Sequence, residues 1–352
     1  MTETEKKKKP PLVIIAGPTA VGKSAAAVSL AEKIGGEIIS ADSMQVYRGM
    51  DIGTAKVTEA EKHGIPHHLI DVMDPHEDYH VVNFQKMAKA AAEEIYSRGK
   101  IPILCGGTGF YIQALLYDIE FAGEPVEEAE KRKYFEALLM EAKQADEQGE
   151  SGAALLHERL AAVDPEAASE IPAANRKRVT RALEFYELYG KKISEHNREQ
   201  ARRKESSAYN FRFFVLTDER ERLYRRIDAR VDRMFEAGLL QEVEALLKQG
   251  VSPSSTAMQG IGYKEVLGVL SGACTEAEAR ELIKRNSRHY AKRQLTWFRR
   301  ENAVIWIDIG RTPDVLSELL RHIPAEWTAA FVSPKGNKKN RLYHTVFSNE
   351  KN

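Results

Sequence analysis

The stretch LVIIAGPTAVGKS, residues 12–24, decides the fold class of this chain. Its first part, Leu12–Ala16, is a short unbroken apolar run, which is typical of a parallel strand buried on both faces. Its second part, Gly17–Ser24, matches the pattern G-x-x-x-x-G-K-[ST] at every fixed position. An alanine-rich helical segment, Ser24–Ile34, follows directly. Strand, glycine-rich loop and helix in this order predict an α/β fold whose core resembles that of P-loop NTPases.

The segment Gly17–Ser24, called the phosphate loop below, carries a specific chemistry. Its glycines allow successive backbone N–H groups to surround phosphate oxygens, and the following helix adds the positive end of its dipole. Lys23 supplies a positive charge, and the Ser24 hydroxyl can ligate Mg²⁺. The pattern leaves open which diphosphate or triphosphate is bound and whether a phosphoryl group is transferred. The predicted phosphate-binding residues are Gly17, Pro18, Thr19, Ala20, Val21, Gly22, Lys23 and Ser24.

Further short apolar runs alternate with helical patterns along the chain, which predicts a parallel sheet flanked by helices. Between residues 119 and 205 no strand pattern occurs, and charged helical segments predict an inserted all-helical domain. The predicted strands are Leu12–Ala16, Glu37–Ser40, His68–Val72, Ile101–Cys105, Phe211–Leu216 and Val304–Asp308. The predicted domains are a disordered basic tail at 1–10, the α/β core at 11–118 and 206–325, the helical insertion at 119–205, and a poorly ordered basic tail at 326–352.

Charge is balanced in total but not along the chain. The 352 residues include 52 Lys and Arg and 52 Asp and Glu, so the formal net charge is zero. Residues 120–170 contain 14 acidic and 5 basic side chains, whereas residues 176–233 contain 17 basic and 10 acidic ones. Residues 284–300 contain 7 basic side chains and no acidic one. A polyanionic partner is therefore compatible with the neutral total.

Several classes of protein are excluded by composition. The longest clear apolar run, Leu12–Ala16, is far shorter than the roughly 18–20 residues of a membrane span. The N-terminus lacks the apolar region and cleavage site of a secretory signal. The 2 cysteines, Cys105 and Cys274, exclude a disulfide scaffold and indicate a reducing compartment. A cytoplasmic location without membrane attachment is therefore expected.

Asp42 is the acidic residue that follows the phosphate loop most closely at the end of a predicted strand. A nucleotide hydrolase or kinase usually has an acidic Mg²⁺ ligand at a later strand end, but the strand Ile101–Cys105 ends in Gly106-Gly107-Thr108. Neighbouring parallel strands end at the same edge, so Asp42 is expected near the phosphates. From the residues alone, it could be a metal ligand, a general base or a helix cap.

Six ordered sequence blocks resemble the tRNA dimethylallyltransferase (tRNA isopentenyltransferase) family of bacterial type. The first block contains Asp42-Ser43-Met44-Gln45 and continues to Lys56. The blocks are Ser40–Lys56, Gly64–Asp71, Gly106–Gly109, Arg181–Glu184, Gly260–Glu265 and Ala291–Arg299. The resemblance implies transfer of a dimethylallyl group from dimethylallyl diphosphate to N6 of the adenosine 3′-adjacent to the anticodon in tRNA, with release of diphosphate. It also implies Mg²⁺ as the cofactor, the tRNA anticodon stem-loop as the partner, and a monomer without an obligate protein partner.

The resemblance assigns roles to individual residues. It implies that Asp42 is the general base, that Thr19 contacts the diphosphate or the substrate, and that Lys23 acts at the diphosphate. An arginine of the helix near Leu223 would also reach the diphosphate, with Arg226 as first choice and Arg230 as second. The implied tRNA contacts are Asp42, Ser43, Met44, Gln45, Thr108, Lys177, Arg178, Val179, Thr180 and Arg181.

Two other hypotheses stay open at this point. A kinase for nucleosides or other small molecules would use the phosphate loop for ATP, although the missing late-strand carboxylate speaks against it. An RNA-binding module without catalysis is the other hypothesis, and the presence of Thr19, Lys23, Ser24 and Asp42 speaks against that one.

Overall fold

The computed structural model describes residues 9–121, 128–203 and 207–329. Within these ranges six strands form one parallel sheet in the order β3-β2-β4-β1-β5-β6. The strands are β1 (Pro11–Ala16), β2 (Gly36–Ala41), β3 (His67–His68), β4 (Ile101–Gly106), β5 (Asn210–Thr217) and β6 (Val304–Asp308). The predicted fold class, a parallel sheet with flanking helices and a core like that of P-loop NTPases, is confirmed.

The chain divides into a first compact unit, Met1–Leu116 with Ala208–Asn352, and a second, Tyr117–Ser207. The helices of the first unit before the division are α1 (Lys23–Ile34), α2 (Glu59–Lys62), α3 (Val81–Ser97) and α4 (Gly109–Leu116). The second unit contains α5 (Glu128–Glu147), α6 (Gly152–Val163), α7 (Pro165–Glu170), α8 (Arg176–Tyr189) and α9 (Ile193–Arg203). The first unit continues with α10 (Arg220–Glu236), α11 (Leu239–Lys248), α12 (Tyr263–Leu270), α13 (Glu276–Phe298), α14 (Val315–Arg321) and α15 (Ala325–Ala329).

Helices cover both faces of the central strands. Leu12, Val13, Ile14 and Ile15 of β1 are all 0% exposed. The strands β2 and β4 are buried at every residue. A strand covered on both faces cannot alternate between apolar and polar residues, which explains the unbroken apolar run.

The strand predicted at His68–Val72 is mostly wrong. The structure has only the two-residue strand β3, because Leu69 and Asp71 take left-handed φ angles of 63° and 56°. This backbone conformation is incompatible with an extended strand. Val72 instead donates its backbone N–H to the carbonyl of Val46 at 2.9 Å, so the segment packs along the loop after β2.

Most of the two predicted tails, residues 1–8 and 330–352, lies outside the described residues. The C-terminal tail was predicted from residue 326, but α15 continues to Ala329. Trp327 in this helix is 6% exposed, and the Arg212 guanidinium lies 5.4 Å from its ring centre. Burial of this indole explains why the helix extends past the predicted limit. No helix in the described part of the chain is both long and apolar enough to cross a membrane.

The second unit has a hydrophobic core of its own. Leu138, Leu156, Leu160 and Val179 are among its buried members, and its described residues form helices without strands. Side chains of Ser151, Asp164 and Asn175 cap the first turns of α6, α7 and α8 by accepting backbone N–H groups.

Candidate active site

The carboxyl ends of three central strands lie level with one another. Ala16 of β1 and Ala41 of β2 are both register partners of Gly106 in β4. A Cβ atom on Gly106 would lie 2.2 Å from the Ala41 carbonyl oxygen, so only glycine fits there. The loops that begin at Gly17, Asp42 and Gly107 therefore leave the same edge of the sheet side by side.

The phosphate loop is folded tightly around its lysine. Gly17 and Gly22 take φ angles of 146° and 95°, which L side chains rarely adopt. Lys23 opens α1, and its Nζ donates to the Pro18 carbonyl oxygen at 2.8 Å. Burial is the main cause that lowers the pKa of Lys23 to about 8, with the nearby Arg230 charge acting in the same direction. The ammonium is therefore mostly charged at neutral pH, and it loses its charge over a pH range in which activity can be assayed.

Two adjoining cavities open beside this loop, with volumes of about 370 and 410 Å³. The first is lined by Lys23 and Ser24, whereas the second is lined by Ser43 and Met44 together with apolar side chains of α10 and α13. The side chains that line both cavities are Thr19, Asp42, Thr54, Arg230 and Tyr290. Any group transferred between ligands in the two cavities would pass these residues.

Asp42 lines both cavities, and one of its carboxylate oxygens is hydrogen-bonded to the turn that follows β2. Its Oδ1 accepts the backbone N–H groups of Met44 at 2.9 Å and Gln45 at 3.3 Å. Among the described residues no hydrogen bond reaches Oδ2. The capping hypothesis therefore accounts for one oxygen and leaves the second for a ligand.

Gln45, by contrast, has its side chain engaged with the protein. Its Nε2 donates to the carbonyl oxygens of Thr54 at 3.3 Å and Ala55 at 3.4 Å. The amide therefore holds the later part of the same loop in place.

The two candidate arginines of α10 lie in different surroundings. Arg230 donates from Nη1 to the Thr19 hydroxyl at 3.3 Å and lines both cavities. Arg226 is about half-exposed, and its Nη1 lies 3.8 Å from the Asp218 carboxylate. It lines an adjoining groove along Ala20 and Gly22, which Arg230 and other arginines of α10 also line. Of the two arginines, Arg230 is the one that lines the cavities.

Two side chains of α13, to which the sequence assigned no individual role, complete the site. Gln294 is buried; its Oε1 accepts the Thr19 N–H at 2.9 Å and its Nε2 donates to the Gly107 carbonyl at 3.0 Å. It thereby ties the phosphate loop to the loop after β4. Tyr290 interacts with Thr108 and Gln294, and burial raises its pKa to about 12, so its hydroxyl stays neutral. The sequence signals were the block Ala291–Arg299, which contains Gln294, and the basic run 284–300, which contains Tyr290.

Thr108 lies outside the lining of both cavities, where its carbonyl accepts the first backbone N–H groups near the start of α4. Its side chain contacts Tyr290, which is one of the five residues that line both cavities and form their shared wall. Cys105 lines the first cavity, but burial raises its pKa to about 11, so its thiol is not activated.

In the described ranges, no group of three or more His, Cys, Asp or Glu side chains is placed so that it could hold a metal ion. His63, His68 and His76 each pair with a single carboxylate instead. Ser24 is exposed at the start of α1 and lines the first cavity. A Mg²⁺ ion, which often keeps several waters and binds through few protein ligands plus substrate phosphates, fits such a site.

The predicted tRNA-contacting stretch Lys177–Arg181 lies on α8 of the second unit. Lys177, Arg178 and Arg181 are exposed, but Val179 and Thr180 are both 0% exposed in the core of that unit. These two side chains cannot reach a ligand, because a helix that packs on a core buries part of every turn.

Some basic side chains of residues 284–300 form ion pairs, and others are exposed. Lys284 pairs with Asp232 at 2.9 Å and Arg288 with Asp228 at 2.6 Å, so both neutralise acids of α10. Five basic side chains of the run remain exposed: Arg285, Lys292, Arg293, Arg299 and Arg300.

Two family models and several known proteins are similar to this chain. The family model described as IPP transferase matches residues 45–301, and the isopentenyl transferase model matches residues 10–74. The tRNA dimethylallyltransferase of Lachnoclostridium phytofermentans is 49% identical over 314 residues, which cover 88% of this chain and 96% of that protein.

Solved structures agree with the sequence relatives. The full-length tRNA isopentenylpyrophosphate transferase of Bacillus halodurans is 41% identical, with a TM-score of 0.66, over 92% of this chain and 98% of that one. A eukaryotic dimethylallyltransferase captured acting on tRNA is 32% identical, with a TM-score of 0.71, over 94% of this chain and 81% of that one. This chain belongs to the tRNA dimethylallyltransferase family.

Proposed function

We propose that this chain transfers the dimethylallyl group of dimethylallyl diphosphate to N6 of the adenosine 3′-adjacent to the anticodon of tRNA. The observation that carries the proposal is the shared wall of the two cavities. It places Asp42, with one free carboxylate oxygen, beside the phosphate loop and Arg230. The product would be N6-dimethylallyladenosine in tRNA, with diphosphate released.

The donor would bind with its diphosphate on the phosphate loop. Lys23 and Arg230 would then offset the negative charge that grows on the diphosphate as it leaves, which favours the transition state over the ground state. Arg230 is our choice over Arg226, because it lines the cavity and contacts Thr19. Ser24 would hold Mg²⁺, whose chemistry when bound is to neutralise the leaving diphosphate.

The acceptor adenine would enter from the second cavity, where Ser43 and Met44 form part of the lining. N6 is a weak nucleophile, because its lone pair is delocalised into the ring. As the N6–carbon bond forms and the carbon–oxygen bond to diphosphate breaks, Asp42 would accept the N6 proton and the diphosphate would keep the bonding electrons. The base must leave its stack to reach this carboxylate, so we expect it to be flipped out.

The exposed face of α8 would bind phosphates of the anticodon stem. Lys177, Arg178 and Arg181 present their charges on this face. Val179 and Thr180 would contribute only by holding the helix in its core. Phosphate contacts of this kind position an RNA without selecting its sequence.

The kinase hypothesis is disfavoured by the strand ends. β4 ends at Gly106 without an acidic residue, and the Asp218 carboxylate, which follows β5, is paired with Arg222 at 2.8 Å and lies 3.8 Å from Arg226. A direct test incubates the chain with labelled dimethylallyl diphosphate and unmodified tRNA, and in parallel with labelled ATP and nucleoside acceptors. Prenylated adenosine in the tRNA supports the proposal. Phosphorylated acceptor without prenylated tRNA would refute it.

A further inference from the structure

The loop that follows β2 forms much of the wall around Asp42. This wall loop, residues 42–57, supplies Gln45, Thr54 and Ala55 to the first cavity and Gly53 and Thr54 to the second. Its first part is held by the backbone of residues 71–73, through the bridge of Tyr47 with Met73 and the bond from the Val72 N–H to the Val46 carbonyl at 2.9 Å. Residues 51–55 join no strand or helix and are held by side-chain contacts instead.

Glu242 of α11 makes the most extensive of these contacts. Its Oε2 accepts the backbone N–H groups of Asp51 at 2.8 Å and Ile52 at 2.7 Å. Its Oε1 accepts the Gly53 N–H at 3.0 Å and the Tyr263 hydroxyl at 2.6 Å. An ionised carboxylate offers about four lone-pair positions, so all of them are used. Only the ionised form can accept from four donors at once.

Tyr263 holds the wall loop from behind. Its side chain is fully buried, and a Cβ atom on Gly53 would lie 2.5 Å from its ring. Burial, together with the charge of Glu242, raises the pKa of Tyr263, so its hydroxyl remains a donor. The backbone of Gly53 is thus held between a buried ring and a carboxylate that accepts its N–H.

A short series of hydrogen bonds connects the Gly53 region, held by Glu242 and Tyr263, to Asp42. Gln45 donates from its side chain to the Thr54 and Ala55 carbonyls, next to Gly53 in the chain. The backbone N–H of the same Gln45 donates to Asp42 Oδ1 at 3.3 Å. We propose that Glu242 is a positioning residue for prenyl transfer, which fixes the wall loop and thereby the carboxylate of Asp42. This assignment rests on the proposed function.

The test uses Glu242→Gln, which keeps the side-chain volume. A glutamine amide has one acceptor oxygen, and its NH₂ group would face N–H donors, so at least two of the four bonds are lost. We expect kcat for prenyl transfer to fall at least about tenfold while the donor KM changes less than about threefold, because Glu242 makes no contact with the phosphate loop. Tyr263→Phe removes a single donor and should lower kcat less. Glu244→Gln is the matched control, since Glu244 lies exposed on the same helix and pairs only with Lys248.

A second measurement does not depend on activity. Lys56 lies in the wall loop, and its ammonium contacts Asp51 and Asp71, so trypsin should cleave after it slowly. Glu242→Gln should speed this cleavage, whereas Glu244→Gln should not. A kcat within threefold of the unmodified chain, or cleavage as slow as in the control, would overturn the assignment. Absence of prenyl transfer by the unmodified chain would refute the proposed function alone, and the cleavage rates would still decide whether Glu242 holds the loop.

Discussion

Replacing Asp42 with asparagine isolates its role as a proton acceptor. Asparagine keeps an Oδ1 atom that can accept the N–H groups of Met44 and Gln45, so the turn after β2 should persist. It cannot take a proton from adenine N6. General-base catalysis contributes about 10²- to 10⁴-fold in rate, or about 3–5.5 kcal/mol of activation free energy. We therefore expect turnover to fall by about that factor, with tRNA affinity nearly unchanged.

Asp42→Ala separates this chemical effect from the structural one. Alanine loses both turn hydrogen bonds, each of about 0.5–1.5 kcal/mol, so the free energy of unfolding should drop by about 1–3 kcal/mol. The assay is single-turnover transfer from labelled dimethylallyl diphosphate to an anticodon stem-loop, with tRNA affinity and thermal unfolding measured for both variants. Turnover of Asp42→Asn within tenfold of the unmodified chain would refute the general-base assignment.

Three further predictions concern charge. The donor KM should rise as pH increases from 7.5 to 9.5, because the pKa of Lys23 is lowered to about 8 and its charge is lost above that value; a constant KM would contradict this. Arg230→Gln should reduce kcat/KM for the donor about 10- to 100-fold, and Arg226→Gln much less, in steady-state assays; equal losses would contradict the placement of these arginines. Replacing Arg178 and Arg181 with glutamine should weaken tRNA binding and lower its salt slope by about 2 between about 50 and 200 mM salt, as measured by filter binding; an unchanged slope would exclude these contacts.

Local patterns were sufficient for the central strands and for Asp42. The apolar runs marked β1, β2 and β4, and a polar residue directly after a buried parallel strand must lie at its carboxyl edge. The same logic failed at His68–Val72, since Leu69 and Asp71 take left-handed φ angles that the pattern does not reveal. Helical periodicity alone could have shown that Lys177–Arg181 cannot be exposed at every position.

The choice between Arg226 and Arg230 illustrates a different limit. The two residues are four positions apart on α10 and therefore share one side of the helix. Which of them faces the cavities depends on how α10 packs beside the phosphate loop, and that packing brings Arg230 to Thr19. A helical pattern contains no information on this placement.

Parts of the protein whose interactions are local could be predicted from the residues alone. The phosphate loop is specified by a strand, two glycines and a helix N-terminus within 13 residues, so its pattern can be read from near neighbours in the chain. The side chains that surround the candidate site from distant parts of the chain become apparent only in the folded structure. Gln294 reaches Thr19 across 275 positions, and Glu242 reaches Asp51 across 191. Such contacts form because helices must cover the apolar sheet, and the side chains that this packing brings to the edge are not marked by their own sequence neighbours.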